Sequence, residues 1–273
     1  MFWTRLVSGV VLLVMAILAM SIGGWPLLLA LYFCSMVAYR ELTKALGCAS
    51  RKGKLNALEL IGYPGVTAYY LMLFFTEDRI WLLMCIVAVF IAEMFVYVVT
   101  FPKYRSEQVA AAVFSFLYAP LLLSFVYLTR MCPQGIYMVW MILISSWGCD
   151  TCAYAVGKLI GKKKIFPRLS PKKSLEGCIG GVLGAALIGG LYGYFFVEKV
   201  LPDQQVAWAI AFICAMGAVM SMLGDLAASA IKRNHDIKDY GKLIPGHGGI
   251  MDRFDSMTVT APMIYFLSLL MIL

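Results

Sequence analysis

Four aspartates occupy positions where chemistry is the first explanation to consider. Asp150 and Asp225 lie inside long apolar runs, and Asp252 and Asp255 stand at the mouth of another. An ionisable group in hydrocarbon costs about 2.5–3.5 kcal/mol on insertion scales, so each is a functional suspect. At helical spacing Ser221, Asp225 and Ser229 fall on one stripe, a carboxylate between two hydroxyls. A hard cation suits such a donor set: Mg²⁺ takes oxygen ligands from one or two carboxylates and completes its shell with water and substrate phosphates. Ser146, Asp150 and Tyr154 repeat the pattern in an earlier run. The plainer alternative at both places is hydrogen bonding between helices. For Glu59 and Glu93, which have no motif around them, structural pairing or an interfacial position is the favoured reading.

The segment after Asp225 concentrates further chemistry. Between Asn234 and Asp255 it carries Lys238, Lys242, His247 and Arg253, the glycines Gly246, Gly248 and Gly249, and the carboxylates of Asp252 and Asp255. Glycines permit close backbone approach and N–H groups aimed at an anion. Taken singly, Asp255 could cap the last helix, the glycines could form a turn, and His247 could be a loop histidine. Those readings do not explain why acids, bases and glycines gather in one short segment. A second basic loop, Lys162 to Glu176, holds six bases before its first acid. Lys162, Lys163 and Lys164 suit lipid head groups and substrate phosphates equally. For Lys172 and Lys173 phosphate binding is favoured, because Ser174-Leu175-Glu176-Gly177 opens a helix whose N-terminus attracts anions. Cys149 and Cys152 form a C-x-x-C inside a hydrophobic segment, where two small packing residues are expected rather than a redox pair.

These residues must be positioned by a membrane scaffold. Of 273 residues 62% are hydrophobic and only 14% charged, and mean hydropathy is +0.84. A soluble domain is roughly 45–50% apolar and about 25% charged, which excludes an ordinary cytosolic enzyme and a disordered chain. Apolar runs fall near 5–23, 25–40, 57–76, 80–100, 108–129, 135–157, 175–197, 207–231 and 254–273. The expected fold is therefore an all-α polytopic integral membrane protein with about nine transmembrane helices. It forms one membrane domain over 1–273, with 1–134 mainly scaffold and 135–273 carrying the site. With the N-terminus cytoplasmic, 20 of the 23 Lys and Arg residues fall on the cytoplasmic side, leaving Arg79, Arg130 and Lys199 outside. The charge is also uneven along the chain: residues 150–255 hold 22 of the 38 charged side chains. Nucleic acid is excluded as a partner by the membrane placement and by the few bases outside these loops.

Ser229-Ala230-Ile231-Lys232-Arg233, then Lys238-Asp239 four residues on, then Leu243-Ile244-Pro245-Gly246-His247-Gly248-Gly249-Ile250-Met251-Asp252-Arg253-Phe254-Asp255 resembles the signature of the phosphatidate cytidylyltransferases (CDP-diacylglycerol synthases). Ser170-Pro171-Lys172-Lys173-Ser174-Leu175-Glu176-Gly177 is similar to the segment that precedes it in that family. The resemblance implies transfer of a cytidylyl group from CTP to phosphatidic acid, giving CDP-diacylglycerol and pyrophosphate, with Mg²⁺ and a second, monovalent cation such as K⁺. By motif position it makes Asp225 and Asp252 the metal-binding carboxylates, with Asp150 a further acid of the site and Ser221 and Asp255 secondary candidates. Lys172, Lys173, Ser174, Lys232, Arg233, Lys238, Lys242, His247, Gly248, Gly249 and Arg253 become candidates for nucleotide or lipid phosphate. The chemistry is consistent, since a phosphate oxygen nucleophile needs no Ser, Cys or His and leaves His247 a weak candidate for a general base. The expected location is a bacterial inner membrane with the site facing the cytoplasm, among membrane lipids. A homodimer is one option for the assembly. A CTP-dependent polyprenol kinase and an ion transporter are the rival readings.

Overall fold

The computed structural model describes residues 2–48, 55–201, 206–244, 246 and 248–273, with side chains from residue 7 onward. His247, Arg51, Lys52, Lys54 and the Arg5 side chain lie outside the described residues. The described chain is helical without strands, an all-α polytopic membrane protein. Eleven α-helices follow in order: α1 Phe2–Ile22, α2 Gly24–Ala45, α3 Ala57–Phe75, α4 Arg79–Val99, α5 Ser106–Phe116, α6 Leu122–Met131, α7 Gly135–Leu143, α8 Cys149–Ile160, α9 Leu175–Tyr192, α10 Val206–Asn234 and α11 Met251–Met271. The π turns Leu117–Leu121 and Ile144–Gly148 join α5 to α6 and α7 to α8, so each pair makes one 26-residue apolar span. Pro120 accounts for the first of these turns, because it cannot donate the regular helical hydrogen bond. Among the described residues seven helices are long and apolar enough to cross a membrane. The other two expected spans are α1 and α2.

Two of the boundaries that move matter to the site. Helix α2 continues five residues past the expected end at 40 and takes Glu41 and Lys44 into its last turns. Helix α11 starts at Met251 rather than near 254, so Asp255 is inside the helix and does not cap it.

The chain divides into two compact units, Met1–Ser124 with Asn234–Arg253, and Phe125–Arg233 with Phe254–Leu273. In the first unit, hydroxyls fasten α2 to α3: Ser35 Oγ lies 2.7 Å from Tyr70 Oη, and Tyr32 Oη 2.9 Å from Thr67 Oγ1. Such links hold helices together where lipid removes the hydrophobic drive for association. Helix α3 starts with a capping box in which Asn56 and Glu59 satisfy each other's backbone N–H groups. Glu59 is thus a structural residue, as expected. Glu93 is buried in α4.

In the second unit, α8 and α9 pack most closely. Gly180 lies against Val156, Gly181 against Ala153 and Cys149, and Gly184 against Cys152. A Cβ at any of these glycines would crowd α8, so the small-residue face of α9 is what lets the two backbones approach. Cys149 and Cys152 are both free. Cys149 is buried beside Ala185 and Ala218, and its thiol points to the Ala218 carbonyl.

Candidate active site

In the second unit the loop between α8 and α9 is folded onto itself by its own charges. Glu176, in the first turn of α9, reaches back and accepts from the Lys162 and Lys163 amides at 3.0 and 3.2 Å. Lys164 Nζ donates to the Lys172 carbonyl at 3.0 Å. An isolated bridge joins Lys164 to Ser174. The Ser174 side chain, buried against Gly157 and Gly161, accepts from the Gly177 amide at 3.2 Å. Ser174 is therefore the N-cap of α9, and its hydroxyl is engaged within the protein.

This ordered loop presents Lys173 to Asp225 of α10. Lys173 Nζ lies 2.5 Å from Asp225 Oδ2, and both side chains are only partly exposed. Asp150, exposed on α8, is within electrostatic range of both Asp225 and Lys173. Two expected site residues from distant parts of the sequence thus meet directly, with a third close enough to feel their charge. One turn before Asp225, Ser221 is fully buried and its hydroxyl has no partner. Ser146 does not join the group: it is buried in the π turn and donates to the Ile142 carbonyl, while Tyr154 is 72% exposed. Gly224, beside Asp225, packs against the Asp255 carbonyl and Ser256, leaving no room for a side chain. That contact seats the Asp225 turn directly on α11. Asp255 itself is buried and accepts from the Ser256 amide through Oδ1.

The fit of a hard cation can be judged from these donors. Among the described residues no three His, Cys, Asp or Glu side chains cluster to hold a metal. Two carboxylates and an unpartnered hydroxyl do meet the requirement of Mg²⁺, which needs only one or two carboxylates when substrate phosphates and water supply the rest.

In the first unit the signature loop is held by two carboxylates. Asp252 Oδ2 accepts from the Tyr240 amide at 2.8 Å and from the Gly249 amide at 3.0 Å. Glu41, 209 residues upstream on α2, accepts from Ile250 at 3.2 Å through Oε1 and from Met251 at 2.8 Å through Oε2. It is buried, and Gly241 and Gly249 flank it so closely that a Cβ at either would strike the carboxylate. Gly248 takes φ +85°, a conformation that favours glycine, and its carbonyl accepts from Ile244. The glycines expected to admit a phosphate therefore admit two of the protein's own carboxylates. The Gly249 amide is engaged by Asp252, so the anion it binds in this structure is internal.

Glu41 is the residue holding the signature loop that reading the sequence missed. A charged side chain near the end of an apolar run was the available signal, but nothing local tied it to the signature loop. Among the expected phosphate ligands, Lys172, Arg233, Lys238 and Lys242 are exposed, and Lys232 is half-buried in the last turn of α10. Arg253 is half-buried, and its Nε has no partner. Glu176 also went unassigned in the sequence, and it shapes the basic loop.

A model of the cytidylyltransferase family matches residues 3–271, nearly the whole chain. The chain belongs to the cytidylyltransferase family. Its relatives include proteins named phosphatidate cytidylyltransferase. The one from Bacillus subtilis (strain 168) is 29% identical over 270 residues, covering 96% of each chain. The one from Staphylococcus haemolyticus (strain JCSC1435) is 29% identical over 270 residues, covering 96% of this chain and 97% of its own. A third, from Staphylococcus saprophyticus, is 28% identical over 271 residues with the same coverage. As a cytidylyltransferase-family member the chain is a nucleotidyltransferase, and the kinase and transporter readings fall away.

Proposed function

We propose that this chain transfers the cytidylyl group of CTP to phosphatidic acid, forming CDP-diacylglycerol and pyrophosphate. The observation that carries this reading is the convergence of Lys173, Asp225 and Asp150 in a nucleotidyltransferase-family chain whose full-length relatives carry the phosphatidate name. A phosphate oxygen of phosphatidate attacks the α-phosphorus of CTP. The bond from that phosphorus to the bridging oxygen breaks, and the pyrophosphate leaves with the electron pair. The attacking oxygen is already ionised near neutral pH, so no side-chain base is needed. The obstacle is repulsion between two polyanions and charge growing on the leaving group. Positioned cations and oriented donors meet both demands.

Within this reading Asp225 and Asp150, with the Ser221 hydroxyl, would hold Mg²⁺, which supplies charge neutralisation for the phosphates. Lys173 is held by Asp225 in a fixed place, so its ammonium is pre-oriented beside the site instead of ranging through solvent. Lys172 follows it on the same ordered loop. Lys232 and Arg233 end α10 two turns beyond Asp225 and offer further charge to the nucleotide phosphates. Asp252 is a metal ligand by the family resemblance, and in this structure its Oδ2 holds the signature loop. A monovalent cation remains an expectation from the same resemblance. The N-terminus and both basic loops face the cytoplasm, where CTP is found, in a bacterial inner membrane.

The test is formation of CDP-diacylglycerol from phosphatidate and CTP by the purified protein, with Mg²⁺ titrated. Asp225→Asn should lower kcat by at least about 100-fold while thermal unfolding stays near wild type. Asp252→Asn retains an oxygen for the two loop amides, so a similar loss there would reflect its charge and not the loop. Near-normal activity in both variants would remove the metal assignment. Absence of product from the wild type would remove the function.

A further inference from the structure

At one end of the first unit, the last turns of α2, the start of α3, the turn before α5 and the Tyr240–Leu243 stretch enclose a cavity of about 1750 Å³. Ordinary small-molecule pockets are about 300–1,000 Å³, so this one has room for more than a head group. Arg40, Lys44, Lys103 and Lys242 line it, all four exposed. The two acids in its wall are already engaged by backbone amides: Glu41 holds Ile250 and Met251, and Glu59 holds Asn56. Among the described residues no ion pair joins any of the four bases to a carboxylate. The wall therefore sets four bases against two carboxylates, an excess of positive charge with none of the bases tied up in an ion pair.

Its other feature is apolar. Phe33, Met36 and Val37 of α2 line the same cavity, and Phe33 is 58% exposed. From Phe33 to Lys44 the helix advances about 16 Å at 1.5 Å per residue. An apolar wall therefore leads along one helix into a cationic end. That order matches an amphiphile lying along α2 with its phosphate at the bases and its chain against Phe33. A nucleoside triphosphate would match the charge but has no part for the apolar wall.

We propose that this cavity binds a phosphate-bearing lipid, its head group among Arg40, Lys44, Lys103 and Lys242 and an acyl chain along Phe33 to Val37. The identity of the lipid as phosphatidate is taken from the reaction proposed above, so the assignment rests on that reading. Of these bases only Lys242 belongs to the signature loop; the other three come from the part of the chain expected to be scaffold.

The experiment uses the full chain in nanodiscs and measures binding of phosphatidate, CTP and inorganic phosphate separately, alongside KM for each substrate. Arg40→Gln combined with Lys103→Gln should weaken phosphatidate binding and raise its KM about tenfold or more, a change of about 1.4 kcal/mol, with the KM for CTP unchanged. Phe33→Asn should weaken phosphatidate binding without changing that of inorganic phosphate. Inorganic phosphate competing as strongly as phosphatidate would reassign the cavity to free phosphate. A rise in the KM for CTP alone, or no change in lipid binding, would overturn the proposal. Wild-type photo-crosslinking with a diazirine-tailed phosphatidate provides a second measurement that needs no variant. Labelling is expected on α2 near Phe33, and labelling confined to other helices would overturn the assignment. If the wild type forms no CDP-diacylglycerol but its phosphatidate binding still depends on Arg40 and Lys103, the reaction fails and the cavity assignment stands.

Discussion

Glu41 carries a structural duty out of proportion to its place in the sequence. Its carboxylate satisfies two amides at the start of α11, where a helix leaves N–H groups without intrahelical partners. A hydrogen bond to a charged group contributes about 1.5–3 kcal/mol, and a buried donor left alone costs a similar amount. Glu41→Ala should therefore lower stability by about 2–4 kcal/mol, read as a fall in midpoint on thermal unfolding in detergent, and Glu41→Gln by less. Gly249→Ala should reproduce the defect with Glu41 intact, since the added methyl occupies the carboxylate's place. Unchanged melting of both would show that the signature loop is held by something else. Asp252 and Asp225 were legible from residue type and spacing because each interrupts or adjoins an apolar run. The partnership of Glu41 with Ile250 was not, because no local pattern links residues 209 positions apart.

At the scale of elements, α8 and α9 set where Lys173 can stand. Their close approach depends on the small face of α9, so a large side chain there should act as a wedge. Gly180→Leu would drive into Val156. Overpacking of this kind costs about 1–3 kcal/mol; the expected outcome is lower thermal stability together with reduced activity, as the loop carrying Lys173 shifts from Asp225. The cysteines of α8 serve that same packing. Cys149→Ala with Cys152→Ala should keep activity within about twofold under both reducing and oxidising conditions, since each thiol is a small packing group there. A redox-dependent rate would contradict this. The helices themselves were readable from hydropathy, most of them to within two or three residues. The π turn at Ile144–Gly148 was not, and it lies where Ser146 was expected to share a face with Asp150. Hydropathy reports an average over a span and is insensitive to one irregular turn inside it.

At the scale of the whole molecule, the distribution of Lys and Arg makes an orientation prediction. Single cysteines introduced in a cysteine-free background at Lys103 and Lys199 should be labelled from opposite sides of intact cells or inverted vesicles, with Lys103 reached only from the cytoplasmic side. Labelling of both from one side would overturn the topology. Composition and hydropathy by themselves determined the membrane class and the number of helical runs, because lipid requires every spanning segment to be apolar and helical; the resemblance to a family was legible because the signature is contiguous in the chain. They also singled out the aspartates, whose cost in hydrocarbon is a one-residue property. Tertiary structure alone decided the partners. It placed Lys173 on Asp225 and turned the signature glycines toward Glu41 and Asp252. It also folded a Glu176-pinned loop over the start of α9 and gathered bases from α2 and two loops around one cavity. The physical reason is that burial of a type of residue is dictated locally, whereas the satisfaction of a carboxylate or a backbone N–H depends on which distant group the fold brings within 3 Å.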